Sequence, residues 1–289
     1  MSSQDDDFAK KEAAATIVRI NSASDKKVVP FKNQSFEKLR DECLRGKKLF
    51  EDPLFETSAK SMFFSQPVPA GATWKRPGEI SKSPMFVEST ANANDLDQGY
   101  LGNCWFVAAC ASVVLNKELF ENICPQNQPI SGSQYAGIFH FRFWYYGQWV
   151  DVVIDDRLPV YPDNKLIFCS NKQEPNEFWA ALLEKAYAKL YGCYENLDGG
   201  SIAEALIDMS GGIEESFDIK NMQNTKQKDE IWDVLVKSRQ HKSMIGTSIA
   251  PNPRIREAKL SNGLVMGHAY TVTKIALLEI NRRDVRLIR

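Results

Sequence analysis

No uninterrupted run of about 18 apolar residues occurs in the 289-residue chain, so no membrane-spanning helix is expected. Neither sign of charge is in excess. Lys plus Arg number 36 and Asp plus Glu 37, a formal net charge of −1, which gives no footing for nucleic acid or another polyanion. Cysteine is sparse: six residues (Cys43, Cys104, Cys110, Cys124, Cys169, Cys193), none in C-x-x-C spacing. That excludes a disulfide framework or zinc ribbon as the expectation and points to reduced thiols in a cytosolic protein. The first residues, MSSQDDDFAKKEAAATIV, are polar and acidic and do not form a secretory signal. The D-x-[DN]-x-[DN]-G pattern of an EF-hand is absent.

What is present is an ordinary globular balance, 43% hydrophobic and 25% charged, over a length that makes one large domain or two modest ones. The most informative stretch is Gln98-Gly99-Tyr100-Leu101-Gly102-Asn103-Cys104-Trp105-Phe106-Val107-Ala108-Ala109. A Gly pair brackets a turn, Asn103 stands at an N-cap position, and Cys104 opens an apolar run. The positive end of a helix dipole favours thiolate, the nucleophilic form of a cysteine. Gln98 offers a side-chain amide donor for a developing oxyanion. Cys110, within the same apolar helix, reads as core filler.

Along the rest of the chain, residues 34–49 read as an amphipathic helix, and 52–84, with Pro53, Pro67, Pro69, Pro77 and Pro84, as packed irregular loop. Ile138–Tyr146 and Gln148–Ile154 alternate around Gly147 and predict a hairpin, with His140 a structural residue inside it. Asp155-Asp156 read as turn caps beside Arg157. Residues 177–191 give the clearest amphipathic pattern, closed by Gly192. Residues 220–243 are charged and helical, with His241 on a solvated face, and strands are expected over Met244–Ala250, Gly267–Ile275 and Asp284–Ile288. His268, at the start of a strand, is the imidazole a thiol enzyme would need to hold an ion pair and protonate a leaving amine.

Four blocks, QGYLGNCWFVAA at 98–109, YAGIFHFRFWYYGQWVDVVIDDRLP at 135–159, NEFWAALLEKAYAKLYGCYENLDGG at 176–200 and GHAYTVT at 267–273, resemble the calpains, papain-like cysteine proteases, in their order along the chain. The resemblance covers about residues 31–289. It implies an α+β papain-like core: an arm at 1–30, a helical half at 31–211 that carries Cys104, and an incomplete strand-rich half at 212–289 that carries His268. It implies peptide hydrolysis of protein substrates through a thioester. Cys104 is then the nucleophile, His268 the proton shuttle, Gln98 an oxyanion donor, and Gly200 and Gly267 the residues that bind the substrate backbone. It further implies Ca²⁺, held by the carbonyls of Glu88 and Thr90 and the carboxylates of Asp95 and Glu177, oxygen ligands of the kind this ion prefers.

The sequence departs from the family at three points. Thr90 stands where calpains usually carry Gly. Ala93 stands where they carry Arg, so the salt link that this Arg makes between the halves is not expected. No Asn-Pro-Trp occurs, so the third catalytic residue and its shielding Trp are not among these residues, and weak activity is expected of this stretch alone. A regulatory subunit would be expected only of a longer chain. Two alternatives stand beside the protease: a catalytically inactive, calcium-responsive binding or regulatory module, and a transglutaminase-like acyl transferase with Asp284 as third residue.

Overall fold

The computed structural model describes residues 27–87, 96–217, 219, 224–250 and 259–289. Glu88, Thr90, Ala93, Asp95 and residues 1–26 of the expected arm lie outside the described residues.

The architecture is α+β. In chain order, β1 (Val29–Pro30) and helix α1 (Phe36–Gly46) precede β2 (Thr73–Lys75) and β3 (Leu96–Asp97). Helices α2 (Cys104–Val114) and α3 (Lys117–Ile123) lead into β4 (Ile138–Tyr145), β5 (Gln148–Asp155), β6 (Leu158–Val160) and β7 (Ser170–Asn171). Then come α4 (Trp179–Tyr191), α5 (Ile202–Ser210) and α6 (Thr225–Gln240). The chain finishes in β8 (Gly246–Ser248), β9 (Ala269–Thr271), β10 (Ile275–Ile280) and β11 (Arg283–Ile288). The expected hairpin forms, with Phe143 opposite Val150, and β1 adds to β5 in parallel. His140 is structural: buried, stacked on Phe36, its Nδ1 2.7 Å from Asp151. The expected strand over Gly267–Ile275 is two: β9 ends at Thr271, and Ile275 begins the β10–β11 hairpin, because Thr273 and Lys274 turn their amides onto the Arg289 carbonyl.

Helix α2 is apolar on all sides, and eight of its eleven residues are buried. A helix without a polar face must lie inside. Ring contacts join it to α4, Phe106 stacking on Tyr187 with centroids 4.9 Å apart. Helix α4 departs from the expected amphipathic pattern: all twelve residues Trp179–Leu190 are buried, including Glu184, Lys185 and Lys189. A solvated face is replaced by three buried, hydrogen-bonded charges. The ammonium of Lys185 donates to Asp155 and to the Arg157 carbonyl, both at 2.6 Å, and lies over the Trp74 ring. That of Lys189 donates to Asp52 and to the Val153 carbonyl, both at 2.6 Å, and to Gln34. Asp155 and Asp156 are therefore more than turn caps. Asp155 does accept from the Arg157 amide at 3.0 Å, but both carboxylates are fully buried, and Asp156 joins Arg76 to Tyr135.

Burial alone would push the Asp155 carboxyl up. The Lys185 ammonium, the Arg157 guanidinium and the Asp52 amide overrule it and hold it well below the usual carboxylate range. A depressed pKa contributes stability that is present above the unfolded value and lost as pH falls toward the folded one. Asp155→Asn, which removes the carboxylate that Lys185 pairs with, is expected to lower unfolding free energy at pH 7 by about 3–5 kcal/mol. The gap to the parent should narrow below pH ~4, where the unfolded-state carboxyl takes up its proton. Urea denaturation at a series of pH values checks both.

Candidate active site

The turn that presents Cys104 is held from two sides. The Gly102 amide donates to the Asp198 carboxylate at 2.9 Å, and the Gly102 carbonyl accepts from the Gly199 amide at 3.0 Å. The Trp105 indole N–H donates to the Leu197 carbonyl at 3.1 Å. Gly200 lies flat against the Trp105 ring, and a β-carbon there would overlap it. Gly99 is equally confined, by the backbone of Phe168. Both glycines are thus required by close approach of other groups.

Cys104 opens α2 half-buried, its Sγ 4.0 Å from the carbonyl oxygen of Gly267, 163 residues away. His268 follows directly. Its strand is anchored to the cysteine helix: β9 packs on α2, and the Thr271 hydroxyl donates to the Ala108 carbonyl. Backbone bonds fix the segment further, the Gly267 amide donating to the Ile249 carbonyl at 2.8 Å. The His268 ring meets Tyr270 edge-on, with centroids 5.0 Å apart. Cys104 and the segment bearing His268 are thus neighbours, and Gly200 reaches the turn through its contact with the Trp105 ring.

Gln98 is half-buried and donates from Nε2 to the Leu101 carbonyl at 2.6 Å, which turns its amide toward the cysteine turn. Asn103 occupies the N-cap position, but its side chain does not cap the helix. It turns inward, and Nδ2 donates to Glu184 at 2.5 Å. Asp284 is exposed on the β10–β11 hairpin opposite Glu279, which does not favour a transferase role for it.

Glu177 is buried, and one carboxylate oxygen accepts from Asn171 Nδ2 at 2.5 Å and from the Trp179 indole at 3.0 Å. Two described residues on either side of positions 88–95 come back to its neighbourhood. Met85 pairs with the backbone at 176–178, and Leu96 pairs with Asn171. A buried carboxylate of this kind fits a hard cation, although no group of three His, Cys, Asp or Glu side chains is gathered among the described residues.

The sequence reading passed over Glu184 and Asp198, the two carboxylates that brace the cysteine turn. The available signal for Glu184 was a charge inside an otherwise apolar helical run.

The other thiols are poor candidates for chemistry. Burial pushes those of Cys110, Cys124 and Cys169 well up, which keeps them neutral.

Comparison with known proteins places the chain in a family. The family model for calpain family cysteine protease matches residues 50–289. Calpain clp-4 of Caenorhabditis elegans is 47% identical over 254 residues, covering 88% of this chain and 34% of its own length. Calpain-A of Drosophila melanogaster is 45% identical over 247 residues (86% and 29%), and calpain-9 of Mus musculus 45% over 266 residues (92% and 37%). The chain spans about a third of the length of the curated relatives it matches.

Iodoacetamide near neutral pH is expected to alkylate Cys104 in the folded chain and to spare Cys110, Cys124 and Cys169. Peptide mapping by mass spectrometry checks this, and an adduct at one of the buried thiols with Cys104 unmodified would remove the basis for choosing Cys104.

Proposed function

The chain belongs to the calpain family of cysteine proteases, and from that premise we propose that it carries the nucleophile and the base of a calcium-dependent endopeptidase acting on accessible, extended protein segments. The observation that carries the reading is the approach of Cys104 Sγ to the Gly267 carbonyl, beside His268. The Cys104 thiolate attacks the scissile carbonyl carbon and forms a C–S bond. The oxyanion accepts from the Gln98 amide and the Cys104 backbone N–H. Collapse breaks the C–N bond, and the His268 imidazolium protonates the departing amine. His268 then takes a proton from water, whose oxygen displaces the thiol from the thioester. Gly200 and Gly267 line the path of the substrate backbone, between a helical half ending near 211 and a strand-rich half beginning near 212.

Glu177, with Asp95 and the carbonyls of Glu88 and Thr90, is the proposed calcium ligand set. An ion held there would supply positive charge to these oxygens, and Cys104, His268 and Gln98 would carry the bond making. The hydrogen bonds that position Glu177 support its share of this set. A reducing, cytosolic setting is part of the proposal, supported by six free cysteines.

Cys104→Ser is expected to abolish calcium-dependent casein hydrolysis while leaving the melting temperature of the chain within a degree or two. In Ser-His-Asp enzymes, spoiling the residue that orients the imidazole costs roughly 10⁴ in turnover. A chain extended through an Asn-Pro-Trp-Gly motif should therefore cleave casein at least about 10³-fold faster than these 289 residues. Equal rates contradict the assigned mechanism, and no cleavage by either chain favours the non-catalytic module. Glu177→Gln keeps the acceptor for Trp179 but removes the charge. Calorimetric titration should show much weaker calcium binding, and unchanged affinity rules out this ligand.

A further inference from the structure

We propose that Glu184 is a positioning residue for the nucleophile, setting through Asn103 the turn that presents Cys104. The inference rests on Cys104 being the reactive thiol. Its geometry is specific. One Glu184 oxygen accepts from Asn103 Nδ2 at 2.5 Å, and the other accepts from the Cys169 amide at 2.8 Å. Asn103 immediately precedes Cys104, and its carbonyl receives the amides of Phe106 and Val107 that start the helix. The contact therefore fixes both the residue before the nucleophile and the first turn behind it.

Among the described residues, no cation pairs with this carboxylate. The titratable groups that face it are Cys110 from α2, Cys169 from the segment entering β7, and Tyr194 from the turn after α4, all neutral. Lys185, next on the same helix, is engaged by Asp155. Burial pushes the Glu184 carboxyl up to about 7, against the two donated hydrogen bonds. Between the ordinary carboxylate range and pH ~7 the folded chain holds a proton that the unfolded chain releases. Stability from this group therefore falls as pH rises across that window, and the loss is complete above pH ~7. The charged form thus costs stability, a pattern common where a group is retained for function.

Both protonation states have a hydrogen-bonding partner in Asn103, but not the same one. The carboxylate takes Nδ2–H. A proton on that oxygen finds an acceptor in Asn103 only if the amide turns over and presents Oδ1. That oxygen is buried and makes no hydrogen bond among the described residues. Protonation of Glu184 is therefore coupled to reorientation of the residue before Cys104.

The test compares the rate of Cys104 alkylation by iodoacetamide, from pH 5.5 to 9, in the parent chain, in Glu184→Gln and in the reciprocal swap Asn103→Asp with Glu184→Gln. The amide introduced by Glu184→Gln imitates the protonated acid. The swap returns a carboxylate–amide pair with the roles exchanged, and the new amide's carbonyl oxygen still accepts from the Cys169 backbone N–H. Glu184→Gln should melt no lower than the parent at pH 8. It should alkylate about tenfold more slowly there, within the hundredfold that an ångström of misplacement can cost, and should lose the inflection near pH 7. The swap should recover most of the rate. A Glu184→Gln chain with the parent's rate and profile overturns the proposal. If the single variant does not fold, folding and alkylation of the swap become the readout, and a swap that stays unfolded or unreactive overturns it equally. Adduct mapping in the parent separates this result from the choice of nucleophile: labelling elsewhere refutes Cys104 itself, whereas labelling at Cys104 that ignores residue 184 refutes only the role of Glu184.

Discussion

Three charged side chains on one buried helix set the terms for the rest of the molecule. Glu184, Lys185 and Lys189 are each no more than 1% exposed. A charge taken out of water is costly unless a counter-charge or donated hydrogen bonds compensate it; the two lysines have both, and Glu184 has hydrogen bonds alone. Each of these three therefore requires a different, distant piece of chain to arrive. Lys189 draws in Gln34 and Asp52, and Lys185 draws in the end of β5 and residue 157. Glu184 draws in the turn before α2 and the strand entry at Cys169. Breaking one pair strands its partner, so segments as far apart as Gln34 and Lys189, 155 residues, become one cooperative unit centred on α4.

The cysteine turn inherits its rigidity from that arrangement. It is braced below by Glu184 and laterally by the 197–200 segment, through Asp198, Gly199 and the Trp105 indole. The histidine segment is attached less extensively. A short strand pair, β8–β9, leans on α2, with the Thr271 hydroxyl bound to the helix backbone. The cysteine turn is thus deeply anchored and the histidine segment lightly. Glu177 lies where the flanking residues Met85 and Leu96 come together, through the backbone at 176–178 and Asn171.

Much of this was legible from residues alone, for physical reasons that differ by element. Helix α2 shows itself by the absence of any polar face, the β4–β5 hairpin by alternation, and the place of Cys104 by the turn and apolar run that mark a helix start. Helix α4 was legible as a helix and misread as amphipathic. Its charges imitate a solvated face, and the partners that neutralise them, Asp52 and Asp155, lie 137 and 30 residues away. The same reason hides Glu184, whose function depends on Asn103 being 81 residues upstream. Asn103 was placed correctly at the helix start but given the wrong task, since local spacing favours a cap and only the fold supplies the carboxylate that turns the side chain inward.

The central claim is that Cys104 forms an acyl bond with substrate. Its most direct test is incubation of the chain with an activated peptide ester, acid quenching, and location of the acyl group by mass spectrometry. The account predicts, with calcium present, release of one equivalent of alcohol per chain and a single acyl group on the peptide containing Cys104, released by hydroxylamine as a thioester. An acyl group on any other residue, or a release of alcohol that persists in Cys104→Ser, would contradict it.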